Sequence, residues 1–271
     1  MSSVQTLLAG SALPRAEARL LLASVLGVPI EHLIARPEQL VADEVATRFA
    51  DLCARRARGE PVAYLLGEKE FYGRRFAVSP AVLVPRPETE LLVQLALARL
   101  QELKAPRVLD LGTGSGCIAI TLALECPQAS VFAVDRSTDA LAIARANAQR
   151  LGARIEFLHS DWYTHVRTRF DAIVANAPYV PAADPHLLEL RHEPRHALAA
   201  GIDGLADLRH IVAGAPAHLE PGGWLAVEHG HDQGASVRDL FALAGLAGIA
   251  THRDLAGIDR VCVGTLAAVA G

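Results

Sequence analysis

From residue 107 to the C-terminus, short apolar runs alternate with longer amphipathic stretches. The short runs have the length and composition of buried strands, and the stretches between them are long enough for crossover helices. This alternation predicts the α/β class with a parallel, doubly wound sheet. The predicted strands are 107–111, 130–135, 154–159, 171–175, 223–228, 247–253 and 260–267, and the predicted helices are 116–125, 138–151, 204–219 and 232–243.

The N-terminal part has a different pattern, without strand alternation or glycine-rich turns. Apolar residues recur at helical spacing over Pro14–Leu26, which Gly27 ends, and again over Ala42–Ala57. We therefore predict a small helical domain at residues 1–67 and interpret it as a substrate-docking domain.

A β-hairpin linker is predicted at residues 68–86, before a third segment at 87–271 that contains the alternating region. Phe71-Tyr72, Gly73 and Phe76-Ala77-Val78 have the order of a hairpin. Pro87, with Glu88 and Glu90 after it, is typical of a helix start.

Composition excludes several classes of protein. The 271 residues carry 26 Lys and Arg against 30 Asp and Glu, a net charge of −4, so we expect no direct nucleic-acid binding. The four cysteines and eleven histidines show no metal-ligand spacing, so we expect reduced core thiols, no metal site, and a loop or core role for His229.

No apolar run is long enough for a membrane span, and Met1–Gly10 has no basic signal region. We therefore expect a cytoplasmic protein that does not contact membranes.

A glycine-rich loop follows the first predicted strand of the sheet and opens a helix. Glycines allow sharp turns and close approach of a ligand to the backbone, and a helix start presents free N–H groups. The loop follows Asp110 and consists of Gly112, Thr113, Gly114, Ser115 and Gly116.

Acidic residues stand at the ends of the next two strands. Asp135 is placed to accept both ribose hydroxyls of a nucleoside cofactor, Asp161 to meet an adenine amino group, and Trp162 to cover the ring face. Three successive strand ends therefore predict one nucleoside-binding site.

The fourth strand, Ala172–Ala175, ends at Asn176-Ala177-Pro178-Tyr179. The Asn176 side chain and the Ala177 carbonyl offer two acceptors for one NH2 group, and Tyr179 offers a ring that stacks on a flat group. Pro178 disfavours the α conformation at Ala177, which fixes the direction of that carbonyl. The loop is suited to a planar amide or an amino-purine nitrogen.

Two cofactors fit a glycine loop at this position. A dinucleotide site reads G-x-G-x-x-G, whereas residues 112–116 read G-x-G-x-G after an aspartate. This pattern resembles the S-adenosylmethionine loop of class I methyltransferases. Residues 176–179 resemble the Asn-Pro-Pro-Tyr motif of those that methylate planar amide or amino nitrogens.

Nearly the whole chain resembles the bacterial release-factor glutamine methyltransferases, the PrmC or HemK family. The resemblance also includes the helical N-terminal module, Phe71-Tyr72-Gly73, the segment 83–90, Glu193-Pro194 and Glu228-His229-Gly230. The chain departs from the family motif at Ala177, where the motif has proline; the carbonyl is retained.

The resemblance implies the class I S-adenosylmethionine-dependent methyltransferase fold, which has a doubly wound, mostly parallel seven-stranded sheet, with 87–271 as the methyltransferase domain. It implies methyl transfer from S-adenosyl-L-methionine to the side-chain amide N5 of glutamine in the Gly-Gly-Gln motif of class I peptide chain release factors. Residues 112–116, Asp135, Trp162 and Asn176 would contact the cofactor or its surroundings, and 176–179 would hold the glutamine.

Four other functions are weighed against this one. A ribosomal-protein glutamine methyltransferase would not explain the N-terminal module and hairpin, and a nucleic-acid amino-methyltransferase would need a basic target-reading domain. A nicotinamide oxidoreductase would need the wider glycine spacing, and a non-catalytic docking protein would leave the site unexplained. Arg191, His192 and Glu193 lie in a long loop, either solvated or lining a substrate groove.

Overall fold

The computed structural model describes residues 1–268 and contains two compact units, Met1–Lys69 and Glu70–Gly271. The first unit is mainly helical and has its own core, which includes Leu21, Leu22 and Phe49. Its helices are α1 (Val4–Gly10), α2 (Arg15–Leu26), α3 (Ile30–Ala35), α4 (Asp43–Ala57) and α5 (Val62–Leu66).

Two details refine the sequence-based picture of this unit. Gly27 ends α2 in the left-handed conformation, with φ of 67°. A two-residue antiparallel pair, β1 (Ser2–Ser3) with β2 (Leu40–Val41), is not visible in the sequence pattern because two residues are too few to show alternation.

A hairpin occupies the segment where the sequence predicts one. Its strands are β3 (Glu68–Phe71) and β4 (Arg74–Ala77), and Tyr72 and Gly73 in the turn both have positive φ, 51° and 70°. Positive φ at both central residues is the requirement of the type I′ turn that suits strand twist.

The second unit is built on one sheet of mixed direction, called here the main sheet. Its elements after the hairpin are α6 (Glu90–Leu100), β5 (Arg107–Leu111), α7 (Cys117–Glu125), β6 (Ser130–Asp135), α8 (Thr138–Leu151), β7 (Ile155–His159), β8 (Phe170–Ala175), α9 (Ala206–His218), β9 (Leu219–Glu228), α10 (Gly234–Leu243), β10 (Leu246–Arg253) and β11 (Asp259–Leu266). Within residues 1–268 the main sheet has seven strands in the order β10-β11-β9-β8-β5-β6-β7. The prediction of a seven-stranded, mostly parallel sheet is confirmed.

Both faces of the main sheet are buried. Ala172 and Val174 of β8 pack in one apolar cluster with α6 and α7, and Ile173 and Ala175 pack in a second cluster with α9 and α10. Continuous apolar runs, rather than alternating ones, are what a strand covered on both faces requires.

The sheet departs from simple expectation at two places. Strand β9 begins at Leu219, before the predicted residue 223, because Leu219 pairs with Phe170 ahead of a register shift to the Ala172–Trp224 pair. The sequence between them, Glu-Pro-Gly-Gly, has the composition of a turn, so the sequence pattern hides this irregular strand start. The second departure is β11, which is antiparallel to both β9 and β10.

Strands β5, β6, β7 and β8 are parallel neighbours, so their carboxyl ends meet at one edge. No helix within residues 1–268 is long and apolar enough to cross a membrane.

Candidate active site

A pocket of about 840 Å³, which includes space open to solvent, lies at the carboxyl ends of these strands. Open α/β sheets bind ligands at this edge. Nine of the residues singled out in the sequence line it: Gly112, Thr113, Gly114, Ser115, Asp135, Asp161, Trp162, Asn176 and Pro178. The three others, Gly116, Ala177 and Tyr179, are not among the lining residues.

The glycine loop turns through left-handed conformations, with φ of 71° at Gly112 and 55° at Gly114. A Cβ atom on Gly112 would stand 3.2 Å from the Trp162 ring, so glycine keeps this part of the pocket open. Gly116 has a packing role instead, because a Cβ there would approach Ile120 to 2.9 Å and Ala144 to 3.2 Å.

Asp135 is positioned by the backbone on both sides. Its Oδ2 accepts from the Gly114 N–H over 2.9 Å, and its Oδ1 accepts from the Ser137 N–H over 2.8 Å. A carboxylate has about four acceptor positions, so two remain for a pair of ligand hydroxyls. This donor and acceptor set fits the ribose of a nucleoside.

Trp162 stands over the glycine loop in an uncommon conformation, with φ of 46°. The Ser160 hydroxyl donates to the Trp162 carbonyl over 2.9 Å, which holds this turn. Asp161, between them, is exposed and lines the pocket with its neighbours. The polar edge and flat ring that an adenine would need are therefore adjacent.

The Asn176 side chain is oriented by a residue far away in sequence. Its Nδ2 donates to the Thr89 hydroxyl over 2.9 Å, which leaves Oδ1 as an acceptor without a partner within residues 1–268. The Ala177 carbonyl likewise accepts no hydrogen bond from this part of the chain. Ala177 itself is only 2% exposed, so its side chain cannot be what a ligand meets.

Tyr179 is held at both its backbone and its ring. The Gln233 Nε2 donates to the Tyr179 carbonyl over 2.9 Å, and the Tyr179 hydroxyl donates to Glu228 Oε1 over 3.3 Å. Burial, together with the nearby Glu228 charge, raises the pKa of the Tyr179 hydroxyl, which therefore stays protonated at neutral pH.

Thr89, Glu228 and Glu193 are the polar residues whose roles the sequence did not reveal. Glu193 turns inward, accepts from the Val84 N–H over 3.0 Å and pairs with Arg86, a pocket-lining residue. Arg191, His192 and Glu193 are outside the pocket lining. The sequence pattern and spacing do not indicate roles for Thr89, Glu193 and Glu228. The available signal was that each of the three belongs to a motif shared with the family that the chain resembles.

Two buried carboxyl groups titrate far from their ordinary range. Burial raises the pKa of Asp110 to about 7, against the opposing hydrogen bond from Thr113. Burial likewise raises the pKa of Glu228 to about 7. His229 is fully buried and burial lowers its pKa, so it is a neutral core residue, as its sequence context indicates.

Asp110 gives a prediction about stability. The pKa of Asp110 in the folded protein lies above the ordinary value of 3.8. Its contribution to the free energy of unfolding is therefore fully present below pH 3.8 and is lost as pH rises through about 7. We expect Asp110→Asn to raise the melting temperature relative to wild type at pH 8, by the equivalent of about 1–3 kcal/mol. At pH 5 the difference should be smaller than at pH 8, because the loss accumulates as the pH rises from the ordinary pKa of 3.8 to about 7. Calorimetry that finds the same difference at both pH values would contradict the titration of Asp110.

Two family models match the chain. Residues 88–191 match the methyltransferase small domain, and residues 3–67 match the PrmC N-terminal domain. The matches fall in separate parts of the chain, before and after the hairpin.

Full-length relatives agree with these models. The chain is 51% identical over 270 residues to the release factor glutamine methyltransferase of Bordetella pertussis, covering 98% of this chain and 100% of that one. It is 50% identical to the release factor glutamine methyltransferase of Neisseria gonorrhoeae, covering 94% of each.

Solved structures agree on the fold. A methyltransferase from Pyrococcus furiosus superposes with a TM-score of 0.56 at 16% identity, covering 80% of this chain and 99% of that one. The main sheet and this likeness confirm the class I methyltransferase fold. Because it matches such relatives over nearly its entire length, the chain belongs to the release factor glutamine methyltransferase family.

Proposed function

We propose that this protein methylates the side-chain amide nitrogen N5 of the glutamine in the Gly-Gly-Gln motif of class I peptide chain release factors, using S-adenosylmethionine. The observation that carries the proposal is that one pocket joins Asp135 and the glycine loop to an Asn176 whose Oδ1 is free to accept. The similarity to release factor glutamine methyltransferases over the whole chain supports the same substrate.

The substrate amide would be held by the two unpaired acceptors. The Asn176 Oδ1 and the Ala177 carbonyl each accept one hydrogen of the glutamine NH2 group, and Pro178 and the Gln233–Tyr179 contact stabilise the loop behind them. An acceptor pair of this kind selects a planar NH2 group, because each acceptor needs a hydrogen in the same plane.

The nucleoside half of the pocket would hold the cofactor. Asp135 would bind the ribose hydroxyls, Asp161 the adenine amino group, and Trp162 the ring face, while residues 112–115 would line the remainder. Gly116 lets the loop lie close to Ile120 and Ala144, where a Cβ atom would not fit. When bound, S-adenosylmethionine supplies a methyl group made electrophilic by the sulfonium.

Catalysis would be mainly positioning. An amide nitrogen is a weak nucleophile because its lone pair is delocalised, so it reacts only if it is held in line with the methyl group. The two acceptors fix that direction, and they also stabilise the positive charge that develops on the nitrogen.

The proposal includes the parts of the chain outside the pocket. Residues 1–67 would dock the release factor, residues 68–86 would form the hairpin linker, and residues 87–271 would carry the reaction. We expect the protein in the cytoplasm, where its release-factor substrate is made, and we expect no direct nucleic-acid binding.

The docking role predicts the effect of a truncation. A chain that begins at Glu68 should bind S-adenosylmethionine as the full chain does, because the pocket residues all lie beyond it. Its kcat/KM on an intact release factor should fall through a higher KM. If the truncated and full chains show equal kcat/KM, residues 1–67 do not dock the substrate.

One experiment tests the function directly. The full chain is incubated with labelled S-adenosylmethionine and a release factor, and the label is located by mass spectrometry. We expect it on the amide nitrogen of the Gly-Gly-Gln glutamine and not on a Gly-Gly-Glu variant. A release factor that stays unlabelled at this glutamine would overturn the proposal.

A further inference from the structure

A chain of polar side chains lies behind Asn176. The Asn176 Nδ2 donates to the Thr89 hydroxyl over 2.9 Å, and that hydroxyl is near enough to the buried Glu228 carboxyl group to lower its pKa. Thr89 is 2% exposed and Glu228 is 1% exposed, so both side chains are largely shielded from bulk water. The Glu228 Oε1 accepts from Tyr179, whereas its Oε2 has no hydrogen-bond partner within residues 1–268.

Glu228, at the inner end of this series of side chains, sets which groups donate and which accept hydrogen bonds along it. A hydroxyl has one hydrogen to donate, and an ionised carboxylate can only accept. When Glu228 accepts the Thr89 hydrogen, the Thr89 oxygen is left to accept from the Asn176 NH2 group. A protonated Glu228 could instead donate to Thr89, which would then turn its hydrogen towards the Asn176 oxygen.

The two directions present opposite groups to the pocket. With Asn176 Nδ2 bound to Thr89, Oδ1 faces the substrate side and can accept from an NH2 group. In the reversed chain the Asn176 NH2 would face the substrate NH2, and two donors cannot form a hydrogen bond. Only the first direction therefore suits a glutamine amide.

We propose that Glu228 is a positioning residue whose carboxylate fixes the Asn176 amide through Thr89, so that Oδ1 faces the substrate nitrogen. This inference rests on the proposed function, because the value of the orientation depends on an NH2 group in the pocket. It assigns a role to the Glu228-His229-Gly230 motif that neither pattern nor spacing indicates.

Titration of Glu228 then makes the orientation sensitive to pH. Burial raises the pKa of Glu228 to about 7. The charge of Glu88 also raises this pKa, whereas contacts with Thr89, Tyr179 and Arg260 lower it. Arg260 is itself paired with Asp254 over 3.1 Å, so its charge is shared. Turnover should therefore rise as pH increases through about 7, when Glu228 becomes an acceptor only.

The test measures kcat for full-length protein on a release factor between pH 5.5 and 9, for wild type and Thr89 variants. Thr89→Val has a similar shape but no hydroxyl, and we expect it to lower kcat about 10- to 100-fold with little change in KM. It should also remove the acidic limb, which is the rise of kcat with pH near 7. Thr89→Ser keeps the hydroxyl and should restore both the rate and the limb.

A second pair of variants tests the carboxylate. Glu228→Gln cannot titrate and should flatten the limb near pH 7, whereas Glu220→Gln, at the start of the same strand, should keep it. In the protein without substrates, the Asn176 side-chain NH2 resonances should shift with pH in wild type and not in Glu228→Gln. This nuclear magnetic resonance readout needs no activity, and it remains usable if Thr89→Val does not fold.

Failure of the inference and failure of the function give different results. If wild type methylates the release factor and Thr89→Val or Glu228→Gln keeps both its rate and its limb, Glu228 does not position Asn176, and the function stands. If wild type leaves the release factor unmodified, the proposed function itself is wrong.

Discussion

We expect Asn176→Ala to lower kcat on a release factor by about 10²–10³-fold, the usual effect of deleting one preorganised polar contact to the reacting group. Asn176 supplies Oδ1, one of the two unpaired acceptors at the carboxyl end of β8. Without it the glutamine nitrogen keeps a single acceptor and can rotate away from the methyl group. Single-turnover rates with saturating cofactor measure the loss, because they separate methyl transfer from product release.

Three controls accompany this variant. The melting temperature of Asn176→Ala should change little, because the residue lies in a loop beyond the strand. S-adenosylmethionine affinity, measured separately, shows how much of the loss belongs to the cofactor side of Asn176. Ala177→Pro keeps the carbonyl and restores the proline of the family motif, so it should retain at least wild-type turnover. Near-normal turnover by Asn176→Ala would mean that this loop does not hold the glutamine amide.

Asp135→Ala should weaken S-adenosylmethionine binding at least about tenfold, because each hydrogen bond to a charged acceptor contributes roughly 1.5–3 kcal/mol. The loss has two parts. The ribose hydroxyls lose their acceptor, and the Gly114 N–H, which Asp135 holds at 2.9 Å, becomes free. Isothermal titration calorimetry of the substrate-free protein measures the dissociation constant directly.

Asp139→Ala is the matched control for this prediction. It removes a carboxylate near Asp135, from an exposed position in the first turn of α8 that does not line the pocket. It should leave the dissociation constant within about twofold of wild type, since exposed charges contribute little. Unchanged affinity in Asp135→Ala would remove Asp135 from the cofactor site, and tight binding of NADH by wild type would favour the oxidoreductase alternative.

The strands and loops of the methyltransferase part were predictable because their signals are local. The run Ala172–Ala175 indicates a strand buried on both faces, and the glycines at 112–116 indicate a tight turn, whatever surrounds them. Parallel strands also place their carboxyl ends at one edge. The grouping of Asp135, Asp161 and Asn176 therefore follows from the alternation of strands and helices.

The irregular start of β9 was not predictable in the same way. Leu219 belongs to the strand only because Phe170 of β8 pairs with it, and the Pro-Gly-Gly that follows has the composition of a turn. Pairing between strands that are far apart in sequence overrides local preference here.

The amino-acid sequence predicts the class of fold, the loop at 112–116, the acids at the strand ends and the acceptor pair at 176–177. These depend on residue type and on spacing within a few positions of the chain. The folded chain is needed to show that Thr89 accepts from Asn176, that Glu228 accepts from Tyr179 close to Thr89, and that Glu193 reaches Arg86. The physical reason is that a hydrogen bond depends on the positions of two groups in space, and these partners come from distant elements whose packing no local pattern records.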